Sequence, residues 1–183
     1  FGATETGLAP ASGGVIEVGV IAKTLDKRQS SLCQIKLVDA DDTPVRDGAP
    51  GELAIRSPAL FSGYWNNPDT NAEDFRGGWF HMGDVFRRNP DGTLAFVDRR
   101  KYLIKSGGEN IYPAEIERVI LSDPRVIDAA VVRKPDEHWG EVPIAFVARK
   151  DPALSAADLL EQMAGQLARY KLPKQFIFIP EPE

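Results

Sequence analysis

The chain has one cysteine, two histidines, no long apolar run and no excess of basic charge in 183 residues. Cys33 has no partner for an internal disulfide, which fits a reducing cytosol. Between Leu32 and Ile35 it reads as a small buried hydrophobe. His81 and His138 are too few to build a histidine-based metal centre. No apolar stretch approaches the roughly 20 residues of a spanning helix. Phe1-Gly2-Ala3-Thr4-Glu5 shows neither the basic segment nor the apolar core of a signal peptide. A net charge of −5 argues against general nucleic-acid binding. Repeats and low-complexity tracts are absent. What remains is a soluble globular composition, 43% hydrophobic and 27% charged, long enough for one large or two small domains.

The most informative stretch is VDRRKYLIKSGGENIYPAEIE, Val97 to Glu117. It joins a basic run, a Gly-Gly pair and an acidic helix start. Composition changes across it, as at a domain boundary. Upstream, residues up to about Gly19 read as loop. Ile35 and Leu37 alternate with Gln34 and Lys36, and Glu52 to Arg56 alternates again, the pattern of half-buried strands. Asn89-Pro90-Asp91-Gly92 predicts a hairpin turn between Val85–Arg87 and Leu94–Val97. Short strands joined by Gly/Pro turns suggest a small barrel or sandwich.

Downstream, Leu103 and Ile104 begin a short strand. Pro113 suits a first helical turn, Glu115 and Glu117 favour its positive end, and Ile116, Val119 and Ile120 form the apolar stripe. Ala129–Val132 and Ala145–Ala148 read as buried strands. Ser155 and Asp158 predict a capped second helix that buries Leu160, Met163 and Leu167 and stops before Pro173. Phe176–Ile179 reads as a last strand. The expected fold is mixed α/β: a β-barrel-like end of an N-terminal domain over 1–100, then a compact, mobile α+β C-terminal domain over 101–183.

Five strings occur in order: FGATE at Phe1–Glu5, GYWNNPD at Gly63–Asp69, WFHMGD at Trp79–Asp84, DRRKYLIKSGGENIYPAEIE at Asp98–Glu117 and RYKLPKQFIFI at Arg169–Ile179. Together they resemble the adenylate-forming superfamily of acyl-CoA synthetases, luciferases and peptide-synthetase adenylation domains. The resemblance implies a cytoplasmic, ATP-dependent acyl-CoA synthetase, AMP-forming, of the kind found in fatty acid metabolism. Such an enzyme activates a carboxylic acid as acyl-adenylate and transfers it to coenzyme A, with ATP, Mg²⁺ and coenzyme A as cofactors. It also implies roles. Phe1 stacks on adenine, Thr4 meets a phosphate oxygen, and Glu5 helps hold Mg²⁺. Asp84 and Arg99 contact the ribose. Lys101 is the hinge, and Lys105 faces the site in the thioester-forming orientation. Gly107 and Gly108 line the channel for the pantetheine arm. Thr4 and Glu5 read equally well as a helix cap. Trp139 reads as a core residue, with a place near the coenzyme A entrance as the alternative.

Two parts of that pattern are not seen. The family's phosphate loop lies upstream of the aromatic-Gly-x-Thr-Glu string, and its adenylation lysine follows the last string. The expectation is therefore a C-terminal piece of a synthetase, inactive by itself. Met82 and Tyr102 replace a threonine and an aspartate common in the family. A domain loading a carrier-protein thiol and a non-catalytic nucleotide- or partner-binding module are the alternatives.

Overall fold

A computed structural model describes residues 3–7, 9–12 and 26–180. The chain divides into two compact units, Phe1–Arg100 and Lys101–Glu183. In the first, β1 (Ala11–Ser12) pairs with β2 (Arg28–Gln29). β3 (Gln34–Val38), β4 (Pro50–Arg56), β5 (Phe80–Arg88) and β6 (Leu94–Arg99) form an antiparallel sheet in the order β3-β4-β5-β6. Among the described residues this sheet stays open and closes into no barrel. Its apolar face buries Leu37, Leu53, Ile55, Phe80, Phe86 and Leu94. The predicted Asn89–Gly92 turn joins β5 to β6, with Gly92 at φ 80°.

Helix α1 (Pro68–Asp74) is inserted between β4 and β5 and buries none of its residues. Asn67 caps it, accepting from the Thr70 amide at 3.4 Å, and Pro68 takes the first position. Packing does not hold this short helix. Its Asn71 side chain grips the Tyr64 backbone from both sides, accepting from the amide at 2.7 Å and donating to the carbonyl at 2.9 Å.

In the second unit β7 (Ile104–Ser106) and β8 (Glu109–Ile111) form a small hairpin. Helix α2 (Pro113–Ile120), β9 (Val126–Asp136), β10 (Gly140–Arg149), α3 (Ala156–Met163) and β11 (Gln175–Ile179) follow. β10 is central: antiparallel to β9, parallel to β11, and joined to β7 at Gly140. The α2 stripe of Ile116, Val119 and Ile120 packs with Val131, Ala145, Val147, Leu159 and Met163 into one apolar core.

Three expectations are corrected. β9 is eleven residues long and half-exposed, with Val132 41% accessible, so Ala129–Val132 is not a buried strand. Helix α3 buries Leu159 and Met163, while Leu160 faces outward and Leu167 lies beyond its end. It stops at Met163, ten residues before Pro173; ψ turns to 127° at Ala164 and Gly165 takes φ 80°. A glycine in the left-handed region just past a helix is a common C-terminal signal. The Ser155–Asp158 capping box forms as expected. No helix among the described residues is long and apolar enough to cross a membrane.

Candidate functional site

Asp84 and Arg99 are 15 residues apart in sequence and directly opposite across β5 and β6. Gly83, at φ 70°, and a bulge after Val85 break the alternation of β5, so Asp84, Val85 and Phe86 are all buried. Asp84 is 4% accessible and Arg99 Nε lies 3.1 Å from its Oδ1. That approach is an ion pair without hydrogen-bond alignment, and Asp84 Oδ1 has no hydrogen-bond donor. Burial pushes the Asp84 carboxyl above the usual range; Arg99 opposes this and Glu52 adds to it. A buried acceptor without a donor needs a reason. Here the carboxylate acceptor stands beside a guanidinium.

Glu52, on β4, gathers a second set of charges. Its Oε2 accepts from Arg76 at 3.0 Å and from Arg100 at 2.8 Å, and His81 Nδ1 lies 3.5 Å away. Arg76 also reaches Asp42 at 2.8 Å, which holds the Asp42 carboxyl below its ordinary value. Burial, reinforced by Arg76, pushes His81 below its ordinary value. Both His81 ring nitrogens lack hydrogen-bond partners.

Thr4 and Glu5 stand in a 3-10 turn, Thr4–Thr6. The side chain that ties this turn is Thr6, whose hydroxyl donates to the Ala3 carbonyl at 2.8 Å. Glu5 is instead tethered at long range. Its carbonyl accepts from the Phe61 amide at 3.0 Å and its carboxylate from the Tyr64 hydroxyl at 3.2 Å. Burial, then the charge of Glu5, raises the Tyr64 phenol to about 12. Tyr64 was not singled out from sequence, although its string was; it is the residue that fixes Glu5. Phe1 lies outside the described residues. Among the described residues no group of three or more histidine, cysteine or acidic side chains could hold a metal ion. One carboxylate such as Glu5 fits only a cation whose other ligands are phosphate and water, the habit of Mg²⁺. The Tyr64 hydroxyl leaves acceptor capacity on that carboxylate.

In the second unit Gly107 and Gly108 form the two-residue turn of the β7–β8 hairpin, with φ 57° and 85°. Positive φ at both positions is the demand of the twist-matched hairpin turn, and glycine meets it without strain. The two glycines differ in surroundings. A Cβ on Gly107 would lie 2.6 Å from Cε3 of Trp139, whereas one on Gly108 would meet nothing. The Gly107 amide donates to the Trp139 carbonyl at 2.9 Å. Trp139 is 45% accessible, so it is not a core residue. Asp136 orients it by accepting from the His138 and Trp139 amides at 3.0 and 2.9 Å. Lys105 is exposed on β7, and its amide donates to Glu141 at 2.9 Å. Lys101 is exposed in a 3-10 turn, Arg100–Tyr102, its ammonium 4.8 Å from the Tyr102 ring centre. Glu115 pairs with Lys171 at 2.7 Å and Glu117 accepts from the Val131 amide at 2.8 Å, so both are structural.

The AMP-binding enzyme C-terminal domain family matches residues 115–183. An indoleacetate–CoA ligase of Aromatoleum aromaticum is 40% identical over 155 residues, 84% of this chain and 30% of that protein. Residues 115–183 belong to the AMP-binding enzyme C-terminal domains. The chain spans about 30% of the length of the curated relatives it matches. Among solved structures, the o-succinylbenzoate CoA synthetase of Bacillus subtilis with the acyl-adenylate OSB-AMP has a TM-score of 0.75 and 37% identity, over 82% of this chain and 31% of that one. The same synthetase with ATP and magnesium ion has a TM-score of 0.74 and 36% identity, over 83% and 31%. The amide bond synthetase of Marinactinospora thermotolerans has a TM-score of 0.77 and 31% identity, over 85% and 32%. The proteins that this chain resembles thus differ, by name, in the acid used and in the product made.

Proposed function

We propose that the protein carrying this chain is a cytoplasmic, ATP- and Mg²⁺-dependent acyl-CoA synthetase that forms an acyl-adenylate and passes the acyl group to coenzyme A. The observation that carries this reading is the buried Asp84 Oδ1, without a donor, beside Arg99. A vicinal diol fits it. A carboxylate accepts from both hydroxyls of a ribose at once, and an adjacent guanidinium supplies donors for the same sugar.

Thr4 and Glu5 serve the phosphate end. Tyr64 holds Glu5 so that its carboxylate presents an edge to a magnesium–phosphate group. The cation would neutralise charge on the reacting phosphate, and Phe1 would stack on the base. Lys101 takes up the rotation between half-reactions, the boundary of the two units falling at its own peptide. Lys105, Gly107 and Gly108 belong to the thioester step. Trp139 covers Gly107, so the side-chain-free edge past which a slender thiol arm can thread lies at Gly108. Coenzyme A is favoured as acceptor by the SGGENIYPAEIE string and by the ligase names of the relatives. The acid remains open, because those relatives are named for aryl as well as long-chain fatty acids.

Asp84→Ala in the whole protein tests this reading. Loss of a charge-assisted hydrogen bond costs roughly 1.5–3 kcal/mol, or a weakening of about 10- to 150-fold for ATP and acyl-adenylate alike. ATP binding measured by calorimetry decides it; unchanged affinity in a folded variant would show that Asp84 only shapes the turn.

A further inference from the structure

Consecutive linker residues are held by different strands of the first unit. Arg99 is paired to Asp84 of β5 at 3.1 Å, and Arg100 to Glu52 of β4 at 2.8 Å. We propose that the Glu52–Arg100 pair is a releasable latch that sets where the rotating segment begins, making both positioning residues for the two half-reactions. The inference deepens the synthetase reading and rests on it.

The two arginines on Glu52 are unequal. Arg76 is 23% accessible and shared with Asp42, while Arg100 is 41% accessible and its recorded partner is Glu52. Glu52 itself is 7% accessible, a depth at which a lone carboxylate would be costly. If Arg100 lets go, Arg76 still neutralises Glu52, so opening leaves no bare buried charge. If Arg76 let go, the Asp42–Arg76–Glu52 network would break. The arrangement therefore has one permanent partner and one removable partner, and the removable one is the last residue before Lys101. While it is closed, Arg100 is fixed to the sheet and the first free torsions are those of Lys101. When it opens, the mobile segment lengthens by one residue. Because Arg76 keeps Glu52 paired, releasing Arg100 costs less than breaking a lone buried pair, which suits a latch rather than a staple.

Arg100→Gln removes the latch without uncovering Glu52, and Arg100→Lys retains a charge that can reach it. Hydrogen exchange of peptides spanning 97–103 in the whole protein is the first readout. Exchange there rises several-fold in Arg100→Gln and returns toward wild type in Arg100→Lys, with β4 and β5 peptides unchanged. Unaltered exchange in the linker overturns the latch. The second readout is the ratio of the thioester to the adenylation half-reaction, each measured separately at saturating ATP. It shifts by at least threefold in Arg100→Gln while ATP affinity holds. An unmoved ratio beside a loosened linker overturns the positioning role. Absence of acid-dependent pyrophosphate exchange in the unaltered protein would count against the synthetase reading itself, which the linker exchange does not depend on.

Discussion

Buried polar side chains separate the two units. In the first, Glu52, His81, Asp84 and Asp98 are all under 9% accessible, and Glu52 and Asp84 are paired with arginines between 15 and 48 positions away. In the second, the buried acid is Asp123, and its partner is Arg125, two residues on. Among the described residues, the second unit buries one other polar residue, Ser106. Its candidate site residues stand on an exposed hairpin whose form is dictated by backbone torsion. The site proposed in the first unit is thus built from buried charge, and that in the second from glycine torsion and a tryptophan packed on Gly107. Substitutions should fail differently in each.

The largest effect is expected at the join. Proline fixes its own φ near −65° and restricts the residue before it, so Lys101→Pro stiffens the linker at Arg100 and Lys101. Pyrophosphate exchange should persist, while thioester formation from preformed acyl-adenylate falls by orders of magnitude. A parallel fall in both half-reactions would remove Lys101 from the pivot.

Next comes a contrast within the hairpin. Gly107→Ala and Gly108→Ala carry the same left-handed penalty, roughly 1–2 kcal/mol. Only Gly107→Ala adds overpacking, roughly 1–3 kcal/mol more, because its methyl would meet Trp139 at 2.6 Å. Urea denaturation should rank Gly107→Ala below Gly108→Ala, and Trp139→Ala should recover most of the difference. Equal losses would mean that Trp139 swings aside freely, and the comparison between buried charge and packed backbone would lose its second half.

How much of this was legible in the sequence depends on how far apart the interacting residues are. Local signals read well. The alternation at Ile35 and Leu37, the Asn89–Gly92 turn, the Ser155–Asp158 box and the α2 stripe all depend on residues within a few positions of one another. The end of α3 was legible too, in Gly165, but Pro173 was the louder punctuation. β9 misled because its run of alanine and valine looks like a core strand, whereas exposure depends on what covers each face. The Glu52–Arg100 pair, spanning 48 positions, has no local signature at all. Neither has the tether of Tyr64 to Glu5, across 59. The family strings contain Glu5, Tyr64 and Arg100 but not Glu52, and they do not say which side chains hold which.

The smallest expected effect sharpens the comparison most finely, because it asks whether the first unit's buried charge is a structural liability. Burial raises the Asp84 carboxyl in the folded state above its unfolded value. A group so raised favours folding when protonated, and that contribution is present below the unfolded value and lost as pH climbs through the folded one. Once ionised, Asp84 is a buried charge only partly compensated by Arg99, so its ionisation lowers stability. Asp84→Asn keeps the shape and removes the charge. Its melting temperature should therefore exceed that of the unaltered protein at pH 7, by a small margin, and the gain should vanish as pH falls below the ordinary carboxylate range. Nucleotide affinity should move the opposite way, since an amide accepts through one oxygen where the carboxylate offers two. A variant less stable at neutral pH would mean that the Arg99 pair outweighs burial, and that this charge is kept for the fold rather than for a ligand.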